Sequence, residues 1–186
     1  MTPETYTEVI PKKETNFKKE VLSWAKAIVT AAIIAYVANN FILVNAMVPT
    51  GSMENTIMTG DRLVASRLSY LFSSPSRFDI ILFPSPHHED LIYIKRVIGL
   101  PGESIVIVNG RIYINGVYLE EDSAFVKESF SGSFGAFIVG EREYFVLGDN
   151  RNNSFDSRFW ENPFIPEDSI IGRAVFKYFK GFEILR

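Results

Sequence analysis

The chain of 186 residues contains no cysteine. That absence removes thiol nucleophiles, disulfide frameworks and thiolate zinc sites, so covalent catalysis would have to use an oxygen or nitrogen nucleophile. Histidine is scarce as well. His87 and His88 are neighbours inside the proline-flanked run Pro84-Ser-Pro-His-His-Glu-Asp. They are badly placed for a catalytic triad, and with no other metal-ligand spacing beside them they read as an exposed loop pair. A basic surplus is lacking too: a formal charge of -3 gives no electrostatic footprint of a nucleic-acid partner.

What the chain has is one long apolar run. Ala27 to Val44 holds 15 apolar residues of 18 and no charge, broken by Thr30, Asn39 and Asn40. As a helix it would be roughly 27 Å long, close to the ~30 Å hydrocarbon core of a bilayer, and Trp24 and Met47-Val48 can extend it. Lys12, Lys13, Lys18, Lys19 and Lys26 precede it. Orientation follows lysine and arginine, so the N-terminus is expected in the cytoplasm and the rest outside. Three other readings compete: a buried core helix, a cleavable secretory signal ending at Val44-Asn45-Ala46, and a polar transport path marked by Asn39-Asn40. The run exceeds the usual h-region of about 7–15 residues, and one helix cannot enclose a path. A permanent single-pass anchor is therefore expected.

The division expected is a polar cytoplasmic segment over residues 1–22, an anchor over 23–48 and an extracytoplasmic domain over 49–186. The last reads as β-rich. Arg62–Ser66 and Asp79–Phe83 are short apolar runs bounded by turn residues. Ser104–Val108, Arg111–Ile114 and Val117–Leu119 are joined by Asn109-Gly110 and Asn115-Gly116, and Asn-Gly accepts the positive φ angles of a type I′ turn. A meander insertion over about 104–142 follows. Ser129–Gly135 reads as a loop whose Phe130 and Phe134 could touch a membrane or simply sit on a hairpin tip. Strands resume at Tyr144–Leu147 and Ala174–Phe179. The fold class expected is mainly β, an antiparallel catalytic sheet with a small hairpin and meander subdomain behind one membrane helix.

The chemistry should lie where loops interrupt this sheet. Pro49-Thr-Gly-Ser-Met directly follows the anchor, which puts Ser52 near the membrane surface; a bare serine next to glycine is also an ordinary turn. Serine needs a base. With histidine unsuitable, Lys95 stands out, because the apolar residues flanking it in Leu91-Ile-Tyr-Ile-Lys-Arg-Val-Ile would desolvate its ammonium and favour the neutral amine. Lys127, Lys177 and Lys180 are weaker candidates, and Lys95 itself could be a strand lysine reaching water. A third element, Gly148-Asp-Asn-Arg-Asn-Asn-Ser-Phe-Asp-Ser-Arg, is either a surface turn or a support beneath a site. In the second case Asp149 and Asp156 would neutralise Arg96, Arg151 or Arg158, and Ser154 would orient the lysine.

Four boxes in order behind one apolar segment resemble those of the bacterial type I signal peptidases: Pro49-Thr-Gly-Ser-Met, Gly60-Asp61, Lys95-Arg-Val-Ile-Gly-Leu-Pro-Gly-Glu and Gly148 to Arg158. The compact, single-anchor layout resembles the Gram-positive forms. The resemblance implies a membrane-bound serine endopeptidase that removes signal peptides from exported preproteins through a Ser-Lys dyad and an acyl-enzyme. Cleavage would follow small residues at -1 and -3, with the substrate bound as an added strand. Ser52 matches the nucleophile and Lys95 the general base. Thr50 and the Ser52 amide match the oxyanion hole, and Ser154 the serine that hydrogen-bonds the lysine. Asp149 with Arg96, and Asp156 with Arg158, match structural ion pairs. No cofactor or metal is implied; the partners implied are preproteins, the lipid bilayer and, by proximity, the secretion translocon. Asn152 and Phe155 depart from the family pattern, which often has Asp and a small residue there. Soluble self-cleaving repressors share the dyad but carry a DNA-binding domain in place of the anchor; a tethered binding module with decayed boxes would not keep both Ser52 and Lys95.

Overall fold

The computed structural model describes residues 17–88 and 90–185, in two compact units that meet in the sequence at Ala38 and Asn39. Lys12 and Lys13 lie outside the described residues, as does most of the segment expected over 1–22. Helix α1 spans Phe17–Val37 and has no buried residue. At 1.5 Å per residue it is about 31 Å long. Among the described residues it is the one helix long and apolar enough to cross a membrane. From Ala27 to Val37 it is apolar on every side but for Thr30, and none of its residues is buried, the pattern of a helix suited to lipid.

Two boundaries differ from expectation. The helix already includes Phe17 to Leu22, and it stops at Val37 rather than running on to Val44 or Val48. A single π-helical turn, Ala38–Ile42, follows, and Leu43–Met47 is then a strand. Asn39 and Asn40 are weak helix formers, and the side-chain amide of Asn45 donates to Asn39 at 3.2 Å. Leu43–Met47 pairs with its neighbour strand at all five residues, and Val44 is buried in the core. The apolar character of this stretch serves a sheet, not lipid; hydrophobicity alone does not separate the two.

The strands are β1 (Leu43–Met47), β2 (Arg62–Ser66), β3 (Ile80–Pro84), β4 (Ile92–Gly99), β5 (Ser104–Val108), β6 (Arg111–Ile114), β7 (Val117–Tyr118), β8 (Phe134–Ile138), β9 (Glu143–Leu147), β10 (Phe164–Pro166), β11 (Gly172–Lys177) and β12 (Glu183–Ile184). The larger sheet has the order β1-β2-β11-β3-β4-β9-β10 with β12 on β11, and the smaller β7-β6-β5-β8. Every pairing is antiparallel. Alternation along the strands gives the large sheet two apolar faces. Ile80, Leu82 and Ile94 pack with Val48, Met53 and Ile57 on one, and Ile81, Phe83 and Val97 with Tyr144 and Trp160 on the other. A third cluster, with Ile98 and Phe145 from the large sheet and Ile105, Ile107 and Ile112 from the small one, joins the sheets.

The small sheet is the expected meander. Asn109 and Asn115 have φ of 49° and 51°, and Gly110 and Gly116 have 75° and 82°, the double positive φ of type I′ turns. Ser129–Gly135 is not wholly a loop: Phe134 and Gly135 begin β8. Phe130 and Phe134 pack on the cluster between the sheets, and the Arg158 guanidinium lies 5.4 Å and 5.6 Å from their ring centres. That packing supersedes the membrane-contact reading of the two rings.

Candidate active site

Ser52 lies in the turn that follows β1. The turn is tied by Glu54 N–H to Gly51 O (3.1 Å) and Ile57 N–H to Met53 O (2.8 Å). Met53 and Ile57 are fully buried and plug the turn into the core. Ser52 is thereby held on a short loop anchored at both ends, its carbonyl accepting from the Asn150 N–H at 3.1 Å. The side-chain amide of Asn150 donates to Gly51 O at 3.1 Å.

Lys95 is on β4, opposite Ile81 of β3. Its side chain is only 4% exposed. The Lys95 Nζ donates to Ser52 Oγ at 2.7 Å and to Ile94 O at 3.1 Å, and it lies 5.2 Å from the centre of the Tyr93 ring. Burial lowers its pKa from the ordinary 10.5 to about 8, against the opposing pull of Asp156 and Asp149. Desolvation penalises the ammonium and leaves the amine untouched. A serine hydroxyl thus stands in hydrogen-bond contact with an amine whose neutral form is accessible near neutral pH, which is what proton removal from a weak nucleophile requires.

The pair opens into a cleft of about 300 Å³, lined on one side by Val48 to Met53, on the other by Leu91 to Lys95, and closed by Asn153 and Phe155. β9 pairs with β4 from Arg96 onward. Ile92–Lys95 therefore have β3 on one side and, among the described residues, no strand on the other. An open edge beside a serine and a lysine can take an extended peptide as one more strand.

With that geometry in hand, comparison with known proteins is decisive. Residues 21–179 match the family described as signal peptidase, peptidase S26. The chain belongs to that signal peptidase family. Among its relatives is a protein of Synechocystis named probable signal peptidase I-2, 34% identical over 96% of this chain and 82% of its own. Signal peptidase I T of Bacillus subtilis is 35% identical over 94% of this chain and 92% of its own. The crystal structure of a signal peptidase I from Enterococcus faecalis is 40% identical, covering 54% of this chain and 97% of that one with a TM-score of 0.47.

The other expected site residues fall into place unevenly. Arg96 and Asp149 form a fully buried bidentate pair, Nε to Oδ1 at 2.8 Å and Nη2 to Oδ2 at 2.7 Å. The Thr56 hydroxyl donates to the same carboxylate. Arg158 and Asp156 pair at 2.8 Å and 2.9 Å, and Asp156 also accepts from the Gly148 N–H at 3.0 Å. Arg151 does not pair with Asp149 or Asp156. Its partner is Asp122, whose Oδ2 accepts from Nη1 at 2.7 Å, in the short helical turn Glu120–Ala124. Thr50 is exposed and lines the cleft beside Ser52.

Ser154 departs from expectation. Its Oγ is buried without a hydrogen-bond partner among the described residues, so it does not bond to Lys95. The amine directs its bonds to Ser52 and Ile94 instead, and Ser154 Oγ packs against Gly148, where an added Cβ would come within 2.2 Å of it. His87 and His88 are exposed, and among the described residues no group of three or more His, Asp or Glu side chains converges on a point that could hold a metal. Lys177 bridges Glu183 at 2.8 Å and donates to Thr56 O, bonds that leave it no part at Ser52.

Sequence reasoning missed the roles of Asn150, Thr56, Asp122 and Gly148. For Asn150 the signal was its place between two box residues. Asp122 sits in an ordinary acidic run, Glu120-Glu121-Asp122, that carries no mark of burial.

Proposed function

We propose that this chain removes signal peptides from exported preproteins as a Ser-Lys endopeptidase held in the cell membrane by α1. The observation that carries this is the 2.7 Å contact between a buried Lys95 Nζ and Ser52 Oγ at the floor of a cleft with an open strand edge, in a chain of the signal peptidase family. Neutral Lys95 takes the Ser52 hydroxyl proton as Oγ attacks the carbonyl at the junction. The Ser52 amide and the Thr50 hydroxyl receive the oxyanion, and each such donor is worth about 2.7–4 kcal/mol of barrier. Collapse passes the proton from Lys95 to the departing amine, leaving an acyl-enzyme on Ser52. Water then gives a proton to Lys95 and attacks the ester, freeing the signal peptide and restoring the serine.

The preprotein adds to the edge at Ile92–Lys95 with small residues at -1 and -3. Ile94, Val48 and Met53 make that face of the cleft apolar, which suits small uncharged side chains. The lysine-rich N-terminus is cytoplasmic and the domain extracytoplasmic, which supports work at the outer bilayer surface close to the translocon. Ser154 acts by packing Gly148 and the Ser52 loop, and its role as a lysine partner requires a shift of its hydroxyl. The test is processing of a preprotein by the detergent-solubilised full chain. Ser52→Ala and Lys95→Ala should each lower the rate by four or more orders of magnitude; wild-type processing by either variant refutes the assignment.

A further inference from the structure

The reading above adds an extended preprotein to the edge of β4, and the following inference rests on it. Successive residues of an added strand face opposite sides of the sheet. The two sides of this edge are not alike. On the Ile94 side the cleft meets Val48 and Met53, buried parts of one core. On the other side, which Lys95 shares with Tyr93 by alternation along β4, the cleft meets Tyr93 and, through Trp160, Phe155.

Phe155 is 50% exposed, yet it is not a loose surface ring. Its centroid lies 5.2 Å from that of His87, 6.3 Å from Phe159 in stacked geometry and 6.5 Å from Trp160. Trp160 in turn lies 6.3 Å from Tyr93 and 6.3 Å from His87. Separations of this order are those of interacting aromatic pairs. The result is an aromatic shelf, flanked by His87 and Phe159 and backed by the buried Trp160, that lines the cleft through Phe155. A phenyl group held half in water at the edge of a substrate cleft has apolar area left to bury. His87, otherwise without a role, is one of the braces.

Small residues at -1 and -3 would share the Ile94 side, and the residue between them turns to the shelf. We infer that Phe155, propped by His87, determines specificity at position -2 of the preprotein and favours an apolar side chain there, leucine or phenylalanine over alanine.

The full chain carrying Ser52→Ala, in detergent, binds fluorescein-labelled precursor peptides without cutting them, so the preference is measured apart from catalysis. The peptides have alanine at -1 and -3 and alanine, leucine, phenylalanine or lysine at -2. Leucine and phenylalanine should bind roughly fivefold more tightly than alanine, the effect of partly burying one apolar side chain. Adding Phe155→Ala should remove the preference, Phe155→Leu should keep most of it, and Phe155→Glu should make lysine at -2 the favoured residue. His87→Ala should weaken it without abolishing it. The inference is overturned if the Ser52→Ala protein shows no preference at -2, if the preference survives Phe155→Ala unchanged, or if the Phe155 variants alter selection at -1 or -3 instead. Failure of peptide cleavage by the wild type would count against the proposed activity and would leave this binding result standing by itself.

Discussion

In the proposed dyad Lys95 makes the rate of acylation a function of pH, and its burial sets both the position and the slope of that dependence. Its pKa falls from 10.5 to about 8 because the buried ammonium loses its water, with Asp156 and Asp149 pulling the other way. The change is worth about 3 kcal/mol in favour of the neutral amine. At pH 7 about one lysine in ten is then neutral, against about one in three thousand for an unperturbed lysine. The base requires the neutral form, so activity rises with pH and levels off above about 8, and below that each pH unit should cost about tenfold. The assay is kcat/KM for a precursor peptide from pH 5.5 to 9.5, in detergent with constant ionic strength. The environment can be moved as well. Asp156 raises the lysine pKa, so Asp156→Asn should shift the inflection to lower pH, whatever it does to the plateau. A profile flat between pH 6 and 8, an inflection near 10.5, or a shift to higher pH in Asp156→Asn would refute the reasoning.

Three further outcomes follow from the same geometry. Lys95→Met should be inactive yet more stable than wild type by up to about 3 kcal/mol at pH 7. The folded-state pKa lies below the unfolded one, so the unfolded chain binds more protons between about 8 and 10.5; the penalty on the folded wild type is complete below 8 and gone above 10.5. Denaturant unfolding at pH 7 and pH 10.5 measures the difference, which should shrink at the higher pH. Gly148→Ala would place a methyl 2.4 Å from Ser52 O and 2.2 Å from Ser154 Oγ, and displacing the nucleophile loop should cut kcat about a hundredfold while circular dichroism stays that of a folded β domain. Val44-Asn45-Ala46 fits a small-residue cleavage pattern but is locked in β1 against Ala65, Val64 and Leu63. N-terminal sequencing of membrane-isolated protein should therefore find no chain beginning at Met47.

Much of this arrangement was legible in the residues, for physical reasons that vary from element to element. The Asn-Gly turns could be read because positive φ at two successive positions leaves few residue choices, and Asn109 and Asn115 adopt it as expected. The Arg96 and Asp149 pair followed from the resemblance of whole boxes, since no spacing rule joins residues 53 positions apart; Asp156 and Arg158 are two residues apart inside one box. The end of α1 was not legible. Leu43, Val44 and Met47 are as apolar as a membrane helix needs, and what makes them a strand is the partner β2, whose Ser66, Ala65 and Arg62 lie opposite them from further along the sequence. Asp122 was missed for the same kind of reason: its burial depends on Arg151 arriving from a distant segment. The Ser154 hydroxyl shows the opposite case, in which a resemblance named a bond and local packing against Gly148 placed the atom elsewhere.

Two buried arginine–aspartate pairs act on one lysine and a third, Arg151 with Asp122, ties the same loop; their value is not chiefly stability. Removing charges from water costs about as much as pairing them returns, so well-packed apolar residues could have filled the same space. The carboxylates do hold the loop: Asp156 receives the Gly148 N–H, Arg158 donates to Arg151 O at 2.9 Å, Arg151 donates to Gly148 O at 3.0 Å, and Asn150 between them holds Ser52 O. Polar bonds of fixed direction place that loop more narrowly than apolar packing would. Their charges also matter to the base. Asp156 and Asp149 favour the protonated lysine, and an unpaired carboxylate in so dry a setting would hold the proton strongly. Each is instead neutralised at close range by its own arginine, Arg158 for one and Arg96 for the other. The arrangement thus takes geometric control from the aspartates while cancelling most of the field that would keep Lys95 charged, and desolvation is left as the dominant influence on the amine that faces Ser52.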